Sequence, residues 1–180
     1  MYRRIHVLVE GRDDRDFFNA VITPRLQEQY DHVQIWEYAG ATIERRINYI
    51  KSIRAMNAAY LFVADINTSP CITERKGRLV NHHKGMIDAG QTVVAIREVE
   101  SWYMAGVDDE TCRQLGFVSP AHTDDLTKEH FRTLMPKRFN GSAVDFMAEL
   151  LREFRVDLAR ARNRSFGYLM NLLETRLNEA

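Results

Sequence analysis

The sequence predicts an α/β fold: a central parallel sheet of about four strands flanked by helices, followed by a mainly helical C-terminal extension. Three observations predict it. Before Trp102, short runs of branched apolar residues alternate with stretches whose apolar residues recur at helical spacing. Carboxylates follow most of those short runs. After Trp102 the strand signals stop and only helical periodicity returns.

Each element follows in order. Ile5 to Val9 reads as a buried first strand, and Asp13 to Leu26 as a helix with Phe17, Phe18, Val21 and Ile22 inward. His32 to Tyr38 is the second strand. Thr42 to Met56 is a helix with Thr42 as its cap, Ile43, Ile47, Ile50 and Ile53 on one face, and Arg45, Arg46, Lys51 and Arg54 expected on the outer side. Ala58 to Ala64 is a third buried strand, ending at Asp65. Glu74 to Met86 is a weakly apolar helix, and Thr92 to Ile96 a fourth strand. Strands separated by helices imply parallel pairing with both faces covered. Residues 106–141 read as polar and turn-rich, with Gly106, Ser119-Pro120, Pro136 and Asn140-Gly141 as breakers. Ser142 to Phe154 and Ser165 to Leu177 are amphipathic helices. The expected domains are 1–105 for the sheet and 106–180 for an extension packing on it.

Composition narrows the function. The 180 residues carry 25 basic and 25 acidic side chains, so no global basic excess points to nucleic acid. A local basic patch is compatible with that balance. Two cysteines, Cys71 and Cys112, form neither a CxxC pair nor a zinc motif. Reduced thiols, an apolar run at the start too short for a signal peptide and the lack of any membrane-spanning stretch predict a cytoplasmic protein.

The chemistry is expected at the carboxyl ends of the strands. The first strand ends in Glu10-Gly11, with Asp13, Asp14 and Asp16 next. The third ends in Asp65-Ile66-Asn67, and the fourth runs into Arg97-Glu98-Val99-Glu100. Glu10, Asp65 and one of Glu98 or Glu100, converging from separate strands, suit Mg²⁺ or Mn²⁺, which takes carboxylates together with water and phosphate oxygens. In a continuing strand Glu98 and Glu100 face opposite ways, and Glu100 is the preferred one. Asp14 serves equally well as a helix-start anion. His82-His83-Lys84 suggests metal or phosphate contact, or else a solvated helix end. His6 reads as structural, and Trp102 as an apolar lid more than a base-stacking platform.

Leu8-Val9-Glu10-Gly11-Arg12-Asp13-Asp14 with Phe17-Phe18 resembles the opening Glu motif of Toprim domains, a Rossmann-like fold. Phe62-Val63-Ala64-Asp65-Ile66-Asn67 resembles their Asp-x-Asp motif. Glu98-Val99-Glu100-Ser101-Trp102 resembles the signature of OLD-family nucleases and of stand-alone Toprim-like proteins in prokaryotic defence loci. Ala161-Arg162-Asn163-Arg164-Ser165-Phe166 resembles the tail of their small relatives. The resemblance implies metal-dependent phosphodiester chemistry. Glu10 is then a metal ligand or general acid/base, Asp65 and Asp14 metal ligands, and Glu100 or Glu98 a ligand to a second ion. Lys137 is the nearest candidate for a later catalytic lysine. The second acid of the Asp-x-Asp motif is Asn67 here, which ligates through a neutral carbonyl and lowers the expected metal affinity.

Two functions compete. One is a Mg²⁺-dependent nuclease acting on nucleic acid, a candidate phage-defence effector. The other is a non-catalytic Toprim-like module beside a separate ATPase subunit, since this chain carries no Walker A motif. A receiver-type phosphate-binding protein ranks lower, because no lysine follows the fourth strand. Among the basic residues 20 are Arg and 5 are Lys. Arg152, Arg155, Arg160, Arg162 and Arg164 read either as a phosphate track or as an ion-paired face. Oligomeric state is not fixed by the sequence.

Overall fold

Three runs of branched apolar residues become strands buried on both faces of a sheet, and a fourth, half-buried segment pairs along its edge. In the computed structural model, which describes residues 2–178, these are β1 (Arg4–Val9), β2 (His32–Glu37), β3 (Ala59–Asp65) and β4 (Thr92–Ala95). Their order is β2-β1-β3-β4, in a sheet that is all parallel. Ile5 lies opposite Val33 on one side and Ala59 on the other, and Leu8 opposite Trp36 and Phe62. After β1 the chain crosses to β2 on one side, whereas β3 lies on the other. The carboxyl ends of β1 and β3 therefore flank the point where the winding reverses, which is where such sheets hold ligands.

The helices between the strands are α1 (Arg12–Phe17), a π-helical turn over Phe18–Ile22, α2 (Thr23–Leu26), α3 (Ile43–Ala55) and α4 (Ile72–His82). The π turn precedes Pro24, whose missing N–H leaves the Ala20 carbonyl without its usual donor. Thr42 caps α3 as expected, its Oγ1 accepting the Arg45 N–H. Ile47, Ile50 and Ile53 of α3 are buried, and Ile50, Ile53, Leu8, Tyr38, Phe62 and Leu79 share one core. Each such burial contributes roughly 1.5–3 kcal/mol.

The chain divides into two compact units between Val94 and Ala95. The second unit is helical: α5 (Glu100–Ala105), α6 (Asp109–Leu115), α7 (Lys128–Leu134), a 3₁₀ turn at Lys137–Phe139, α8 (Ala143–Arg152), α9 (Val156–Arg162) and α10 (Arg164–Asn178). Within it α5 packs on α7, α8 and α9. The segment expected to be polar and turn-rich thus holds α6 and α7. Asp108 and Thr127 cap them by accepting the Thr111 and His130 N–H groups, and Cys112 and Phe131 anchor them inward. Two short helices with one buried anchor each leave too weak a period to read from sequence.

Asn163 organises this unit. Its amide nitrogen donates to Ser101 and Thr123 hydroxyls at 3.2 and 3.0 Å. Its carbonyl oxygen accepts from the Ser165 hydroxyl and the Phe166 N–H at 2.8 and 3.0 Å. Ser165 Oγ in turn accepts from Trp102 Nε1 at 2.8 Å and the Ile96 N–H at 3.2 Å. Every amide atom of this fully buried side chain is used, as a buried amide requires. The Asn163–Phe166 stretch of the tail motif is therefore a polar clamp that starts α10. Trp102, fully buried, is a core residue and presents no face on which a base could stack.

Candidate functional site

Glu10 lies one residue beyond β1 and is partly exposed, while Asp65 is the last residue of β3 and likewise partly exposed. Asp14, in the first turn of α1, is buried and accepts the Gly11 N–H at 3.0 Å, tying the turn after β1 to the helix start. Tyr38 lies one residue past β2. Its hydroxyl donates to the Val63 carbonyl at 2.8 Å, and its ring stacks on Phe62 with centroids 4.8 Å apart. Burial pushes the Tyr38 phenol well above its ordinary range. The charges of Glu10, Asp14 and Asp65 push it further, against the opposing pull of Arg75. Acids from the turn after β1 and from the end of β3 therefore act on one phenol at the sheet's carboxyl end.

Beside Tyr38 a cleft of about 410 Å³ opens, with Glu10 on its wall. The rest of its charged lining is basic: Arg46 from α3, and Arg75, Arg78 and His82 from α4 with His83 just beyond. Arg46 does not lie along the outer side of its helix. It folds back so that Nε donates to the Ala41 carbonyl at 3.0 Å and the guanidinium covers the Tyr38 ring at 4.8 Å. Arg75 donates from Nε to the Asp65 carbonyl at 2.7 Å, which fixes its fork beside the end of β3. Sequence reasoning missed Tyr38, Arg75 and Arg78. A signal existed, because residues 75, 78, 79 and 82 recur at i, i+3, i+4 and i+7 and so share one face of α4.

Asn67 is exposed and adopts the left-handed conformation (φ 50°) in the turn after β3. Asn is one of the few non-glycine residues that takes this conformation readily. Among the described residues, no three His, Cys, Asp or Glu side chains are set together to hold a metal ion. Glu10 and Asp65, at the ends of paired strands, would supply one or two carboxylates to an ion whose shell water and substrate oxygens complete.

The remaining predicted residues belong to the second unit. β4 ends at Ala95 and Glu100 starts α5, so the strand alternation expected for Glu98 and Glu100 does not apply. Both instead meet Lys128. Glu98 Oε2 accepts its N–H at 2.6 Å, and the buried Glu100 carboxylate lies 2.9 Å from its ammonium, an ion pair without hydrogen-bond alignment. Lys137 is exposed on its 3₁₀ turn. Arg152, Arg155, Arg160, Arg162 and Arg164 each pair with a carboxylate, from Glu149, Asp108, Glu174, Asp109 and Asp124 respectively, the arrangement of an ion-paired face. His6 is structural as expected, with Nδ1 2.9 Å from the Tyr49 hydroxyl.

Fold and site together define a parallel α/β sheet domain with an acid-and-arginine crevice at its switch point. No protein-family model matches the chain, and no curated protein does. Among solved structures, the C-terminal region of the Xanthomonas campestris pv. campestris OLD protein, phased with platinum, is similar with a TM-score of 0.50 and 15% identity, covering 99% of this chain and 97% of that one. The same region phased with iodine gives 0.48 at 16% identity, over 99% and 98%. The C-terminal region of the Burkholderia pseudomallei OLD protein gives 0.49 at 16% identity, over 96% and 99%. The chain thus has the fold of an OLD C-terminal region. No helix among the described residues is long and apolar enough to cross a membrane.

Proposed function

We propose that this chain is a Mg²⁺- or Mn²⁺-dependent nuclease or related phosphodiester-transfer enzyme, and an effector of phage defence. The observation that carries the reading is that Glu10 and Asp65 stand at the carboxyl ends of β1 and β3, which pair directly in the sheet. Carboxylates at neighbouring strand ends repel one another, and a divalent cation relieves that repulsion. Glu10 and Asp65 are the ligands in this reading, with the Asn67 carbonyl completing the protein's share. A bound ion supplies Lewis acidity to a phosphoryl oxygen and lowers the pKa of water. Glu10, at the mouth of the cleft, is the residue to accept a proton from the attacking water. Arg75, held by the Asp65 carbonyl, orients phosphate oxygens. Asp14 braces Glu10 through the Gly11 turn.

A second reading has its own support. No three-ligand metal group exists among the described residues, and Glu100 is committed to Lys128. A non-catalytic module beside a separate ATPase subunit fits both facts. Incubation with plasmid DNA and with tRNA, in Mg²⁺, Mn²⁺ or EDTA, separates the two. Metal-dependent cutting lost in both Glu10→Ala and Asp65→Ala supports the enzyme. Folded protein that never cuts either substrate rejects it.

A further inference from the structure

β2 is the edge strand of the sheet. β1 pairs with it on one side, and among the described residues no strand lies on the other. An open edge is a row of main-chain donors and acceptors ready to pair with another chain, and proteins usually blunt it with a lysine, a proline, a bulge or a covering element. β2 has none of the first three. Its residues, His32–Glu37, include no Lys or Pro, and they keep step with β1 without interruption from Arg4 opposite His32 to Val9 opposite Glu37. Val33 and Ile35 are half-buried, so apolar surface continues out to the edge.

The direction of each main-chain group is fixed by the bonds to β1. The His32 N–H donates to the Arg3 carbonyl at 3.2 Å, and the Tyr38 N–H to the Val9 carbonyl at 2.9 Å. Even-numbered residues of β2 therefore turn their main chain to β1. Val33, Ile35 and Glu37 turn theirs outward, because successive residues of a strand alternate. One outward group already borrows a donor: the Ile35 carbonyl accepts from the exposed Gln34 side-chain amide at 2.9 Å. That local bond stands where the N–H of a neighbouring strand belongs, and it exchanges for one at little cost.

The outward residues recur about Ile35, so the edge is complementary to itself run backwards. With Ile35 opposite Ile35 of a second copy, Val33 meets Glu37, and each facing pair exchanges two main-chain bonds. Charge and length select this register. A slip of two residues one way sets Asp31 against Glu37 of the other copy, acid against acid. The same slip the other way leaves only residues 35–37 of each strand facing one another. Glu37 brings its own counter-charge, with Arg15 Nη1 2.5 Å from its carboxylate. The whole chain is neutral, with 25 acids against 25 bases, so two copies meet without mutual repulsion. A strongly charged foreign strand finds no matching charge along this edge.

We infer that β2 pairs antiparallel with β2 of a second copy about a two-fold axis at Ile35, joining the two sheets into one. The interface is isologous, so assembly closes at the dimer. Antiparallel joining points the carboxyl ends of the two sheets in opposite directions, and each copy keeps its own Glu10–Asp65 crevice. The inference is independent of the reaction proposed above. A strand pair is smaller than a standard interface, so dissociation is expected at roughly micromolar concentration.

Sedimentation equilibrium of the full chain over about 1–500 µM tests it. The mass rises from one chain to two and stops there. Ile35→Pro removes an outward N–H that β1 does not use, a change an edge strand tolerates. Ile35→Lys sets like charges face to face across the axis. Each variant weakens the dimer roughly ten-fold or more while keeping the parent's circular dichroism. Oxidation with diamide in a Cys71→Ser background reads the register without disturbing the strand. Ile35→Cys cross-links to its own mate, since Cα atoms of such a pair lie about 5.5 Å apart, and Val33→Cys does not. A chain that stays monomeric throughout leaves the edge to a foreign strand and overturns the inference. So does a mass that climbs past two chains, association unchanged in both Ile35 variants, or equal cross-linking at positions 33 and 35.

Discussion

Replacing Lys128 by Met isolates the buried ion pair of the second unit. The Glu100 side chain is 3% exposed and that of Lys128 is 39% exposed. Removing the cation strands a carboxylate that water cannot reach. Breaking such a pair from one side costs about 3–5 kcal/mol when both partners are buried. The half-open lysine end admits some water, so a loss of about 2–3 kcal/mol is expected. Glu100→Gln runs the other way. It leaves an ammonium free to swing into solvent, and should cost only about 1 kcal/mol. Combining the two removes both charges, and most of the loss in Lys128→Met should return. The bond from the Lys128 N–H to Glu98 is unchanged throughout, since it uses the main chain. Urea unfolding of the four proteins, followed by fluorescence of the buried Trp102, gives the coupling energy directly. A single Lys128→Met variant within about 0.5 kcal/mol of the parent, the range of an ordinary surface change, would refute the assignment of Lys128 as the necessary counter-charge.

Three further outcomes are expected. Burial holds His6 and His83 below their ordinary value of 6.5. The unfolded chain therefore binds protons first as pH falls, so their contribution is complete above about pH 6.5 and declines towards their native values; a thermal scan from pH 7.5 to 5.5 should show falling stability, and a flat profile contradicts the buried neutral rings. A Cβ on Gly106 would lie 2.3 Å from the Phe154 ring, which itself packs edge-on to Phe166, so Gly106→Ala should cost about 1–3 kcal/mol in urea unfolding. Asn67→Asp restores a second acid after β3 and should tighten Mg²⁺ binding by titration calorimetry; unchanged affinity means Asn67 serves only its left-handed turn.

The acids at the strand ends and the basic cleft differ in how far the sequence revealed them. Glu10 and Asp65 were legible because each follows a buried apolar run, and the rule that parallel sheets bind ligands at their carboxyl ends needs only the order of elements. Arg46 shows the opposite case. Its position in α3 places it outside the apolar face, yet in the structure it turns back over Tyr38. That choice depends on a ring contributed by β2's exit and carbonyls exposed by the turn after it. Glu98 and Glu100 turned on where β4 stops. The strand ends at Ala95, and Arg97 takes a left-handed conformation (φ 70°), so the two acids follow a turn and both reach Lys128.

What the sequence determined by itself is therefore whatever local periodicity encodes. The four strands, the helices α3, α4, α8 and α10, the cap at Thr42, the inward faces of α3 and α8, and the acids following β1 and β3 all follow from interactions between residues near in the chain. Only the tertiary structure decided which long side chains meet. The Tyr38 hydroxyl reaches the Val63 carbonyl of β3, Arg75 finds the carbonyl ten residues before it, and Lys128 finds two acids about thirty residues before it. A flexible side chain settles where burial, partner and backbone carbonyl coincide, and those coincidences exist only once the sheet order and the packing of its helices have formed.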